Sequence, residues 1–549
     1  MDIEELLDFQ PERTLKRGAD AEAEGDYEGM FKKRAVDAPQ KKNYEDMTDE
    51  ERLALVMELE EDNAVEMDEG IVRKMVLNLE KKHAKNQELR IKHTEQPERF
   101  MDSEIELHVE IGKCLTIATQ PQLYPTFVEC GGVKLVISLL THPNSDIVLG
   151  VVDLLHELTD NDIISEAIDA GQVLVEALVK NQIMSILLQV LESLDEKNED
   201  EAKGLHNVLG IAENLVEADP DLAEHAFKQG LLLWILNRLK IRSFDANKLY
   251  CSELLAVLLQ SSTANRSSLG NIEGIDTMLQ ALALYKRRNP QLAEEQEMMH
   301  NLFDGLCLSL LAPANRDIFL KGEGVELMIL MLREKKMSRP PALKVLNFAM
   351  QGDEGINCCA KFIDVYGLRS LFPCFMKTPG KKIKRGGFSE LEWVEHVTSI
   401  ISHLLRNTSG SQLQRLMNKF VEDDHLKVDR LIELHLFYLG RAKSVDEEIR
   451  EERYSLEEEE IDEEKENEFY MKRLDAGLFT LQRLNYILLS ICTAGISSIV
   501  ERVKQLLTLK GETLQPIKDI MQEYADSLGD DKNKANEEKL NITHMINQL

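Results

Sequence analysis

One spacing dominates this sequence: from about residue 71 to 379, apolar residues recur at i, i+3, i+4 and i+7 almost without pause. In LHNVLGIAENLVEA, Leu205, Val208, Leu209, Ala212, Leu215 and Val216 fall on one stripe of a 3.6-residue helix. Val148, Leu149, Val152 and Leu155 form another, and so do Leu254, Leu255, Leu258 and Leu259. Sustained period-two alternation, the mark of a half-buried strand, is missing from these segments. The spacing predicts an all-α chain. Glycines punctuate it: Gly131-Gly132, Gly171, Gly230, Gly274, Gly324 and Gly367 each stand just before an apolar run, and successive steps from Gly131 are 40, 59, 44, 50 and 43 residues.

Armadillo and HEAT units are about 40–47 residues long. Asn144–Asp160, NSDIVLGVVDLLHELTD, resembles the second half of an armadillo repeat. One such unit leaves its apolar face open, so units must stack. The resemblance implies a right-handed superhelical solenoid whose groove is lined by the third helix of each unit. The 59-residue step is longer than one unit, and the polar stretch Asp195–Lys203 would account for an insertion. Glycine suits each position because the chain must turn sharply between helices. The expected layout is a disordered tail (1–70), an N-terminal helical cap (71–130), armadillo repeats (131–379) and a helical C-terminal module (390–549) that caps the solenoid. An acidic, exposed stretch, 445–468, splits that module, and within it solvated repulsive charge is the plain reading of Glu457–Glu464.

Charge narrows the choice of partner. Acidic residues number 98 against 65 basic ones, a formal net charge of −33 over 549 residues. Such a chain repels phosphate backbones, so direct nucleic-acid binding is not expected and a basic protein segment is. The eight cysteines include no CxxC pair, which points to reduced thiols rather than a disulfide framework. No apolar run reaches the roughly 18 residues of a membrane span, and MDIEELLDFQPERTLKRG does not read as a secretory signal. A soluble protein of the cytosol or nucleus is the expectation.

Catalytic signatures are missing too: no GxSxG, Walker loop, HExxH or kinase motif occurs. His396 and His403 stand seven apart without a third ligand, and Glu457–Glu464 lacks the alternating oxygen ligands and glycine of a calcium loop. A non-enzymatic chain without metal or cofactor is expected. Trp234, in GLLLWILNRL, reads as core; Trp393 reads as either core or contact.

Binding residues are sought on the third helices. Asp153, Glu157 and Asp160 share one side of their helix, and Asn207, Asn214 and Glu217 share one side of theirs. Carboxylates facing a groove would attract lysine and arginine, each exposed pair contributing only ~0–1 kcal/mol; ordinary solvated surface is the plainer alternative. Importin-α repeats a Trp/Asn pair along such helices. Here Asn214 takes an asparagine position, but Gly210 stands where tryptophan would, and Glu157, Leu258 and Leu308 occupy related places. A nuclear import adaptor is therefore the alternative function. In the tail, Lys16-Arg17 and Lys32-Lys33-Arg34 could fill two acidic receptor pockets as a bipartite nuclear localisation signal, or simply balance charge.

Six blocks carry a closer resemblance: KNQELRIKH (85–93), VVDLLHELTD (151–160), FDANKLYCSELLAVLLQ (244–260), AEEQEMMHNLFD (293–304), FLKGEGVELMILMLREKK (319–336) and FYMKRLDAGLFTLQ (469–482). In that order they resemble the beta-catenin-like protein 1 family. The resemblance implies a nuclear protein of the pre-mRNA splicing machinery that accompanies the Prp-nineteen-type complex. It also implies binding to basic segments of spliceosomal proteins and, in some lineages, to an activation-induced cytidine deaminase.

Overall fold

The computed structural model describes residues 67–378, 388–455, 462–528 and 533–549, and within them all regular structure is helical. The chain divides into two compact units between Gln229 and Gly230, inside the stretch read from sequence as one array.

The first unit holds α1 (Glu69–Lys92), α2 (Met101–Cys114), α3 (Tyr124–Glu129), α4 (Gly132–Leu139), α5 (Ser145–Leu158), α6 (Asn161–Glu166), α7 (Ile168–Lys180), α8 (Ile183–Ser193), α9 (Glu199–Ala218) and α10 (Leu222–Gln229). Its long helices stack in chain order, α1 on α2, α2 on α5 and α5 on α9. The stripe read from sequence on α9 is the buried one: Leu205, Val208, Leu209, Ala212, Leu215 and Val216 are all inside.

The second unit repeats a short-short-long pattern. It begins with α11 (Leu231–Leu239) and α12 (Ala246–Ser261), followed by α13 (Thr263–Leu269), α14 (Gly274–Leu282) and α15 (Ala293–Ser309). Next come α16 (Pro313–Lys321), α17 (Gly324–Glu334) and α18 (Arg339–Met350), then α19 (Ile356–Asp364), α20 (Leu368–Met376) and α21 (Glu390–Asn407). α12, α15, α18 and α21 pack in series. Trp393 of α21 is core, its indole N–H donating to the Cys374 carbonyl of α20 at 3.0 Å. Trp234 of α11 is only half-buried, because the neighbouring positions Leu232 and Ile235 take the inward face.

The pattern then lengthens. α22 (Gly410–Val421) is followed by the 30-residue α23 (Leu426–Ser455), and α24 (Glu463–Asp475) folds back along it. α25 (Leu478–Thr493) then takes the next place in the stack against α21, before α26 (Ser497–Leu509), α27 (Gln515–Ser527) and α28 (Asn533–Gln548). Residues 456–461 of the acidic stretch lie outside the described residues, and its described part pairs with cations of α24. Glu452 pairs with Lys465 and Lys472, both at 2.7 Å, and Asp446 with Arg473 at 2.9 Å. Phe469 is buried with the cations of Arg453, Lys465 and Lys472 at 4.8, 5.3 and 5.5 Å from its ring.

The turns between first and second helices differ from the sequence expectation. Left-handed backbone falls at Gly131, Gln182, Gly230, Glu273, Glu323 and Tyr366, at intervals of 51, 48, 43, 50 and 43 residues. Only two of these residues are glycine. Gly171, counted from sequence as a helix opener, lies inside α7, so Gln182 marks that turn and the 59-residue step disappears. Most of the glycines serve close packing instead. A Cβ on Gly324 would sit 2.3 Å from the Phe319 ring, and Gly132 and Gly367 meet Phe127 and Phe362 at 2.3 and 2.6 Å. Each aromatic stands five residues ahead of its glycine, at the end of the preceding short helix.

A second recurrent device closes the long helices. Ala264-Asn265-Arg266 and Ala314-Asn315-Arg316 are identical triplets opening α13 and α16. Asn315 is fully buried and donates to the carbonyls of Ser309, at the end of α15, and Arg266, one unit earlier, at 2.9 and 2.6 Å. Asn265 donates to Leu258 at 3.2 Å. Arg316 donates to Leu310 at 2.8 Å and onward to Gln351 at 2.5 Å. Helix ends leave four carbonyls without intrahelical partners, and these side chains supply donors.

Opposite effects are expected at adjacent positions. Glu323→Gly relieves left-handed backbone and raises stability by up to about 1 kcal/mol, whereas Gly324→Ala forces a methyl into Phe319 and lowers it by about 1–3 kcal/mol. Urea unfolding of both variants gives the two signs.

Candidate functional site

The carboxylates read from sequence lie in the first unit, where α5 and α9 run side by side. Asp153 of α5 is half-buried and accepts from the Asn207 amide of α9 at 2.8 Å. Asp160 follows the end of α5 and caps α6, accepting from the backbone N–H groups of Asp162 and Ile163 at 2.9 and 3.3 Å. Glu217, at the far end of α9, accepts from the Asn161 side chain. Glu157 is exposed on the last turn of α5, and Asn214 is half-buried on α9. The structure therefore joins Asp153 to Asn207 and places the segment carrying Asp160 against Glu217, while Asp160 doubles as a helix cap.

Beneath these groups lies the fully buried Tyr124. Burial pushes its phenol pKa up, and the negative charges of Asp160, Glu157 and Glu166 push it further. Glu166 thus joins the anionic cluster although the sequence reading passed over it. Its only signal was its place six residues after the capping Asp160. Clustered carboxylates attract a cation more strongly than any one of them does alone.

The importin-like ladder finds no counterpart on this surface. Gly210, where a tryptophan would stand, is buried, as are Leu258 and Leu308, while Glu157 is exposed. Several asparagines of the long helices are bonded sideways to neighbouring helices. Asn301 donates to Ser252 at 3.2 Å, Asn347 to the His396 ring at 3.2 Å, and Asn485 bonds His435 at 2.7 Å.

The remaining chemistry is that of a core. His396 and His403 are both buried, and no group of three or more potential metal ligands occurs among the described residues. Burial holds both imidazoles well below the ordinary histidine range, aided by Lys344 beside His396 and by Arg483, Arg406 and Arg316 near His403. All eight cysteines are free, and all but Cys130 are buried. No single helix among the described residues is long and apolar enough to cross a membrane. The basic clusters Lys16-Arg17 and Lys32-Lys33-Arg34 lie outside the described residues.

Short, short and long helices repeating around a stack of the long ones define an armadillo-repeat protein. The family described as "Catenin-beta-like, Arm-motif containing nuclear" matches residues 50–522, and the chain belongs to it. Beta-catenin-like protein 1 of Homo sapiens is 50% identical over 479 residues, covering 86% of this chain and 85% of its own. The Rattus norvegicus protein of that name is 47% identical over 543 residues, 96% of each chain. The Schizosaccharomyces pombe homologue is 30% identical over 478 residues, 86% of this chain and 81% of its own.

Asp160→Asn should leave stability nearly unchanged, while Asp160→Ala should cost about 1 kcal/mol through loss of the α6 cap; thermal unfolding separates the two. A second outcome concerns acid. Burial lowers the His435 pKa from 6.5 to about 4, so as pH falls through that window the unfolded state binds a proton that the folded state refuses, and stability drops. In His435→Gln the loss between pH 6.5 and pH 5 should shrink by about 1–2 kcal/mol, read from urea unfolding at the two pH values.

Proposed function

We propose that this chain is a non-enzymatic nuclear scaffold of the pre-mRNA splicing machinery that docks basic segments of partner proteins on its acidic armadillo surface. The partners would be spliceosomal proteins, including components of the Prp-nineteen-type complex, with a cytidine deaminase as a further partner in some lineages. The observation that carries this reading is the convergence of Glu157, Asp160 and Glu166 around one buried phenol, with Glu217 bonded to the adjoining Asn161. A net charge of −33 adds long-range attraction for a cationic segment. The family's description as nuclear supports the location. The buried Gly210, Leu258 and Leu308 favour a scaffold over an import adaptor that clamps one extended peptide.

A lysine- and arginine-rich peptide titrated by fluorescence anisotropy tests the docking. Affinity should fall steeply as salt rises, since charges are screened over ~10 Å at 0.1 M. The double variant Glu157→Gln, Glu217→Gln should bind about 3–10-fold more weakly at low salt. Binding indifferent to both changes would move the docking site to an apolar surface elsewhere. For location, alanines at Lys32, Lys33 and Arg34 should leave the protein in the cytoplasm by fluorescence microscopy. Unchanged nuclear accumulation would mean entry by another route.

A further inference from the structure

A chain with a net charge of −33 gathers cations in two adjoining turns of its second unit. The connection from α14 to α15 contains Leu284-Tyr-Lys-Arg-Arg-Asn289, and the one from α17 to α18 is built on Arg333-Glu-Lys-Lys-Met-Ser-Arg339. Two hydrogen bonds join them. The Met337 backbone N–H donates to the Asn289 side chain and the Ser338 hydroxyl to the Tyr285 carbonyl, both at 3.0 Å. Next to them is the end of α20, where burial pushes the Cys374 thiol pKa up and the charges of Arg339 and Lys335 pull against it. Lys377 follows that helix and is exposed. The second helices of three successive repeats, α14, α17 and α20, thus bring cations to one edge, about 20 Å from first to last.

These charges are not spent within the fold. Arg287, Arg333, Lys335 and Lys377 are exposed, and among the described residues neither they nor Lys286 and Lys336 form an ion pair. Arg288 is matched: it meets Glu295 at 3.1 Å, a carboxylate that also accepts from the Tyr285 hydroxyl at 3.1 Å and the Gln291 backbone at 2.7 Å. The dipole of a helix favours a cation at its C-terminus, but that effect fades within the last turn. Lys286, Arg287, Lys335 and Lys336 all stand beyond the ends of α14 and α17 at Leu282 and Glu334. Glu334 is the one carboxylate within the two segments, and Glu294 and Glu390 open the helices beside them.

Two features select the anion. Leu284 and Leu292, in the same connection, are 40% and 57% exposed, so apolar surface lies among the charges. The aromatics that could stack on bases are covered instead: Tyr285 is buried with Arg288 at 5.4 Å from its ring, and Trp393 with Arg339 at 5.3 Å. Reach points the same way. Charges are screened over ~8 Å at physiological salt, so the edge attracts a short anionic segment, whereas a nucleic acid running past it meets a chain of net negative charge.

We propose that this edge docks an acidic segment of a partner protein, its carboxylates set on the cations of the joined turns and its apolar side chains against Leu284 and Leu292. Glu157, Asp160 and Glu166 belong to the other unit, so this docking is separate from that of basic segments and does not rest on it.

Fluorescence anisotropy on the full-length chain tests it. A labelled peptide of five Glu-Glu-Leu repeats should bind at low salt, and an oligouridine RNA of the same length should bind more weakly. Arg287→Glu combined with Lys335→Glu, both at exposed positions, should weaken the peptide about ten-fold while thermal unfolding stays unchanged. Leu292→Ser, which leaves the charge alone, should weaken it about three-fold. Absence of peptide binding, or binding that ignores either variant, would overturn the proposal. RNA bound as tightly as the peptide would assign the edge to nucleic acid and overturn it as well.

Discussion

The lateral packing of one long helix on the next is the contact on which everything else in this protein rests. A lone armadillo-type unit exposes one apolar face, and only a neighbour of the same kind can cover it. The series α12, α15, α18, α21 and α25 in the second unit satisfies that requirement five helices running, and α2, α5 and α9 do so in the first. Apolar burial drives the stacking but carries little directional information. Direction comes from polar groups set between the helices. Asn315 fastens the end of α15 to the preceding unit, and Arg316 reaches forward to Gln351. A buried amide or guanidinium that misses its carbonyl is costly, so these bonds fix the register of one unit on the next.

The same economy explains the candidate site. Polar residues on the long helices serve the stack first: Asn207 ties α9 to Asp153 of α5, and Asp160 caps α6. At the helix ends Glu157 and Glu166 are exposed, and Glu217 accepts from the Asn161 side chain; the proposed docking uses these carboxylates. Charge without a rigid ladder is the basis of the proposed preference for partners that share a basic character more than a strict sequence.

Much of the fold was legible because helical periodicity and the spacing of units are properties of single residues and short windows. The stripe on α9 was read correctly to the residue. Gly131 and Gly230 do carry turns, but Gly171, Gly274, Gly324 and Gly367 were misread, because a left-handed turn and a close approach both favour glycine and only geometry tells them apart. Gly324 has no Cβ because Phe319 fills that space, while Glu323 carries the turn. Gly171 misled the count for the same reason, standing inside α7 against Ile164. Pairing across a helical hairpin is invisible along the chain: Glu452 meets Lys465 and Lys472 only once α24 turns back on α23. At the site, single positions were visible but their obligations were not. The N-cap duty of Asp160 went unread although aspartate before a helix signals one, and Glu166 was marked only by its place six residues further on.

The long hairpin of α23 and α24 carries one more implication. It enters between two rungs of the stack, yet α25 lies against α21 as though nothing had come between them. Its outer half is zipped by ions around a single aromatic, Phe469, instead of by a continuous apolar core. The ionic branch and the stack of rungs are therefore held by separate contacts, so breaking the pairs around Phe469 loosens the branch while α25 keeps its seat on α21.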